Sequence, residues 1–158
     1  MDTRFLVFSF LLILLFIPGS ILAEDSAATS SNISSAVTTG AQEALMNLAL
    51  DAKAYALENG KTTALSAFSD KATFVRNGMY ISAYNQSGVL LSDPYRADKI
   101  GTSFITEEHD TGIVRQLKDL AQSGGGILTP EMTDTKGLTY YATDIDGGWW
   151  IVATSGNS

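Results

Sequence analysis

The residues best suited to chemistry in this chain are amphipathic aromatics. Tyr80 and Tyr84 are four apart, and Tyr95 and Arg96 follow Asp93-Pro94. Tyr140-Tyr141 and Trp149-Trp150 are adjacent pairs near the C-terminus. Such rings offer apolar faces with a hydroxyl or an indole N–H at the edge, a combination that orients a small molecule in a pocket. Arg76, Arg96 and Lys99 are the nearby cations that could clamp a carboxylate. The same residues also suit a plain core with cations on the surface, and spacing alone leaves both readings open.

Other chemistries are excluded or poorly served. The chain has no Cys, which removes disulfides, thiolate catalysis, zinc fingers and iron–sulfur clusters. Its only His, His109, stands among Glu107, Glu108 and Asp110, a set better read as a solvated helix start than as a metal site. No Gly-x-Ser-x-Gly elbow supports a serine hydrolase. Ser123-Gly124-Gly125-Gly126 follows a helix, where the dipole repels phosphate. Asp144-x-Asp146-Gly147 lacks the other ligands of a calcium loop and reads as a turn. The balance of 10 Lys+Arg against 17 Asp+Glu, a formal charge of −7, argues against nucleic acid as a partner. No enzyme, metal or cofactor is expected.

The elements that must position the aromatics can be read from periodicity. Residues 1–23 hold one Arg, an apolar run from Phe5 to Ile17, Pro18-Gly19, and Ala23 before Glu24-Asp25. This is the pattern of a secretory signal peptide, with an uncleaved signal anchor as the competing reading. Both expect the remainder outside the cytoplasmic membrane, secreted, periplasmic or tethered. Residues 24–39 are rich in Ser, Thr and Ala and read as a flexible linker, so the domain proper is 40–156. Asn32-Ile33-Ser34 and Asn85-Gln86-Ser87 are glycosylation sequons that also arise by chance.

Ala41, Ala44, Leu45, Leu48, Ala49, Ala52, Tyr55 and Ala56 repeat at helical spacing, predicting a helix from Val37–Gly40 to Asn59-Gly60. A shorter helix runs from Thr62 or Thr63 to Phe68. The period then becomes two: Met79, Ile81 and Ala83 face one way, Tyr80, Ser82 and Tyr84 the other. Asn85 to Gly88 turns the chain into a return strand, Val89–Ser92, ended by Asp93-Pro94. A long loop, Tyr95–Glu108, leads to a third helix, capped by Asp110, with Ile113, Val114, Leu117, Leu120 and Ala121 as its stripe. Strand candidates follow at Ile127–Thr129, Leu138–Ile145 and Trp149–Thr154. The fold class is α+β, a five-stranded antiparallel sheet with helices on it.

In this order the residues resemble the single Cache domains, extracytoplasmic sensor modules with a PAS-like fold. The resemblance is carried by Ala54-Tyr55-Ala56-Leu57-Glu58-Asn59-Gly60 and by Tyr80-Ile81-Ser82-Ala83-Tyr84-Asn85-x-x-Gly88-Val89-Leu90. Asp93-Pro94-Tyr95, Asp110-Thr111-Gly112, Ala121 to Gly126, Leu138-Thr139-Tyr140-Tyr141 and Trp149 to Thr154 extend it. It implies a long N-terminal helix on one sheet face and a ligand pocket on the other, roofed by the loop and helix between strands two and three. It also implies a ligand that is a small metabolite (an organic acid, amino acid or amine), with output through a membrane signalling partner. The residues expected to touch the ligand are Tyr80, Tyr84, Asp93, Tyr95, Arg96, Tyr140 and Trp149. The family usually has His where this chain has Asp93. Facing the pocket, that acid would disfavour a carboxylate and favour an amine or polyol. The alternative to a sensor is a structural or interaction module whose pocket is plugged by its own rings.

Overall fold

The computed structural model describes residues 27–106, 112–130 and 137–156, with side chains from residue 40 onward. The expected signal segment, residues 1–23, and His109 with its acidic neighbours lie outside them, as does Asp110.

Helix α1 spans Ala27–Asn59 and α2 spans Lys61–Ser69. Gly60 separates them at φ 80°, in the left-handed region that glycine enters at low cost. Helix α1 starts about ten residues before the expected point, so most of the stretch read as linker is helical. No Gly or Pro interrupts Ala27–Thr39, and the packed turns that follow supply the costly nucleus. Strands β1 (Met79–Asn85) and β2 (Leu90–Ser92) form the expected hairpin. A 3-10 turn at Ala97–Lys99 precedes α3 (Ile113–Gln122), which starts after Gly112. Strands β3 (Gly126–Leu128), β4 (Thr139–Asp144) and β5 (Trp149–Ser155) complete the chain.

The sheet order is β2-β1-β5-β4-β3, with every pairing antiparallel. The α+β expectation holds, with α1 and α2 on one face and α3 on the other. On the first face Leu45, Ala49, Ala52 and Ala56 meet Ile81, Ala83, Ile151 and Ala153. Small residues on both sides let helix and strands approach closely, and Phe68, Phe74 and Trp149 fill the flank. On the second face α3 lays Val114, Leu117 and Ala121 over Tyr84, Ala142, Trp150 and Val152. Among the described residues no helix is long and apolar enough to cross a membrane.

Residues directly opposite in an antiparallel pair share a face. Tyr80 pairs with Thr154, and Thr154 with Tyr140. Ser82 pairs with Val152, and Val152 with Ala142. Tyr84 pairs with Trp150. Three cross-strand rows of side chains therefore rise beneath α3.

Candidate functional site

A cavity of about 260 Å³ lies between these rows and α3. That is about eight or nine water volumes at roughly 30 Å³ each, room for a metabolite and too little for a drug-sized ligand. Its floor is Tyr80, Ser82, Tyr84, Tyr140, Val152 and Thr154. Ile113, Val114 and Leu117 of α3 form its roof, with Leu138 and Phe104 at the sides. Arg96 is the one charged residue among the described residues lining it.

Arg96 is held from three sides. Its Nε and Nη2 both donate to Asp93 Oδ2, at 3.0 and 2.8 Å. Nη2 also donates to the Tyr84 hydroxyl at 3.0 Å. The guanidinium carbon sits 5.4 Å from the centre of the Phe104 ring, a cation–π contact. Asp93 is fully buried. Its carboxylate also accepts from Ser82 Oγ at 2.8 Å and from the Tyr95 and Arg96 backbone N–H groups at 2.8 and 2.9 Å. A buried carboxylate is tolerable only with this degree of satisfaction. Asp93-Pro94 thus ends the strand and also turns the chain so that Arg96 reaches back over the sheet.

The pocket wall is fastened to the sheet edge. Leu90 N–H donates to Thr102 O, Gly101 N–H to Leu90 O, and Phe104 N–H to Gly88 O. Gly88 has φ 70°, and a Cβ there would collide with the Ile105 side chain. The segment carrying Phe104 is therefore seated like a sixth strand beside β2.

Burial raises the phenol pKa of Tyr80, Tyr84 and Tyr140, with the charge of Asp93 adding to the rise at Tyr80. All three hydroxyls are neutral near pH 7 and able to donate or accept. Burial pulls Arg96 down, but its attraction to Tyr84 and Asp93 prevails and holds it above its ordinary value. The pocket therefore presents a guanidinium already paired with Asp93, neutral hydroxyls and apolar walls.

Of the expected site residues, Tyr80, Tyr84, Arg96 and Tyr140 line the cavity together. Three do not. Trp149 is on the opposite face, 1% exposed, packed beside Phe68 with the Lys61 ammonium 5.5 Å over its ring. Its neighbour Trp150 has the pocket side, stacked on Tyr84 at 4.7 Å and 17°, because register puts Trp150 opposite Tyr84. Tyr95 is 53% exposed and packs edge-on against Tyr80 at 5.0 Å, with the Lys71 ammonium 4.9 Å over its ring. It flanks the pocket's outer wall. Asp93 lies beneath the pocket, bonded to two of its lining residues, and offers no free carboxylate to an amine. Of the other candidate cations, Arg76 pairs with Asp51 and Lys99 with Asp98, both in solvent.

Ser82, Thr154, Val152 and Phe104 escaped the expected ligand contacts. The period-two pattern already put Ser82 on the face of Tyr80 and Tyr84. Thr154 and Val152 needed the β1–β5 register, and Phe104 needed the loop's path.

No family model matches the chain, and no curated protein does. Two of the solved structures that match it show the likeness. One is a Cache chemosensory domain described for carboxylic acid recognition, 13% identical with a TM-score of 0.52, covering 85% of this chain and 100% of that one. The other is the periplasmic sensor domain of a chemotaxis protein, 14% identical with a TM-score of 0.53 and the same coverage, 85% and 100%. At such identities the likeness is one of fold. A long N-terminal helix packed on a five-stranded antiparallel sheet is the single Cache fold that this chain shares with them.

Proposed function

We propose that this chain is an extracytoplasmic sensor domain that binds a small metabolite in the cavity over Tyr80, Tyr140 and Arg96. The observation that carries the reading is the cavity itself. A purely structural module would fill that space with its own rings, whereas here the Tyr84–Trp150 stack stands beside an open volume. The fold shared with chemosensory and periplasmic sensor domains supports the same reading and, with it, a location outside the cytoplasmic membrane. The described lining holds hydroxyls, a guanidinium and apolar side chains, which suit binding and release better than covalent chemistry. Output passes through a membrane signalling partner.

The test is a thermal-shift screen of the chain against organic acids, amino acids, amides, amines and sugars. A ligand at a hundred times its Kd adds about 2.7 kcal/mol of stability. A concentration-dependent hit that disappears in Tyr80→Ala and Arg96→Ala, with both variants folded, supports the sensor. Silence across the library from a folded protein favours the structural module.

A further inference from the structure

Arg96 is the obvious anchor for an anion, but its hydrogen-bonding capacity is largely spent. Nε and one Nη2 hydrogen go to Asp93, and the other Nη2 hydrogen goes to Tyr84. Among the described residues only Nη1 is without a partner. Neither edge of the guanidinium can therefore offer the paired N–H groups that grip a carboxylate in bidentate fashion. The charge is spent as well. Asp93 is fully buried and ion-paired to Arg96 at 2.8 Å, so the pair is neutral before any ligand arrives. A carboxylate in this cavity would bring a net negative charge into a space walled by Val114, Leu117 and Val152, with Asp93 directly behind Arg96, the one cation among the described lining residues. Burying a charge without its own counter-charge is costly. A neutral oxygen acceptor would take the Nη1 hydrogens without that cost, and the Tyr80, Tyr140 and Thr154 hydroxyls would satisfy the rest of a polar head.

We propose that the pocket is built for an uncharged ligand, a small molecule with a carbonyl or hydroxyl oxygen for Arg96 Nη1 and an apolar body against α3. Asp93 is then the specificity-determining residue, acting through Arg96 without touching the ligand. The inference rests on the sensor reading above and narrows its ligand class.

Matched pairs test it: propanoate with propanamide, butanoate with butanamide, 2-methylpropanoate with 2-methylpropanamide. Each is titrated against the full chain at pH 7 by calorimetry and by ligand-observed NMR, which detects millimolar binding. The expected result is an amide preference of at least tenfold in the pair that fits, with an affinity insensitive to salt. Asp93→Asn keeps an acceptor for the Tyr95 and Arg96 N–H groups while freeing the Arg96 charge. It should shift the preference towards the carboxylate by at least tenfold. A carboxylate that binds the unmodified chain more tightly than its amide overturns the inference and leaves the sensor reading intact. A charged hit from the wider screen does the same. Silence in both experiments removes the sensor reading, and this inference with it. The comparison on the unmodified chain is decisive even if Asp93→Asn does not fold.

Discussion

The two faces of one sheet are built from alternate residues of the same strands, yet they end as different materials. Under α1 and α2, Ile81, Ala83, Ile151 and Ala153 are wholly buried against Ala49 and Ala52, and the helix lies directly on the strands. Under α3 the alternating partners are Tyr80, Ser82, Tyr84, Val152 and Thr154, and the ten-residue helix stands off them, leaving a cavity. Side-chain size decides the difference. Alanine against alanine brings backbones together, whereas tall tyrosines hold a short helix away and line the space they create. One face is solid throughout, and the other is packed around a hollow.

Breaking the dense face should produce the largest effect. Trp149→Ala removes a side chain that is 1% exposed among Phe68, Phe74 and Ile151. It should cost about 3–5 kcal/mol in chemical denaturation. A loss below about 1 kcal/mol, within the range of ordinary substitutions, would mean that this face is not the stabilising one.

Alkaline pH should act on the hollow face. Burial raises the phenols of Tyr80, Tyr84 and Tyr140, so the folded state holds their protons more tightly than the unfolded chain does. That stabilisation is whole below the unfolded value of about 10 and is lost as pH rises through the folded values. The melting temperature should fall across that range, and Tyr140→Phe should make the fall shallower. An identical pH profile in the variant would contradict the assignment.

The smallest effect belongs to neither face. Arg76 and Asp51 form an ion pair whose side chains are 53% and 58% exposed. Arg76→Ala should change stability by no more than about 0.5 kcal/mol, and added salt should erase even that. A larger loss would show that α1 is tied to the sheet by more than its apolar stripe.

The difference between the faces was partly legible in the residues. A period of two across Met79–Tyr84 separates Ile81 and Ala83 from Tyr80, Ser82 and Tyr84 without any structure. Helical spacing in α1 and the Ile113–Ala121 stripe identify the two packing helices. The same pattern could not say which of Trp149 and Trp150 belongs with the tyrosines. Alternation within a strand is blind to its partner's phase, and only the pairing of Tyr84 with Trp150 supplies it. Asp93 and Arg96 posed a related problem. Proximity in sequence made both candidate ligand contacts, but the turn at Asp93-Pro94 folds one against the other. The start of α1 was misread because a Ser/Thr/Ala-rich stretch has no strong preference of its own.

By itself, then, the sequence determined the element types, the order of helices and strands, and the set of rings from which a pocket could be made. These follow from local periodicity and turn chemistry, which act over a few residues. The tertiary structure alone decided which ring enters the pocket and that the Arg96 charge is already matched by Asp93. It also decided that the loop bearing Phe104 closes the wall. Each depends on strand register or on a side chain meeting another across the sheet, and such contacts exist only once distant segments have packed.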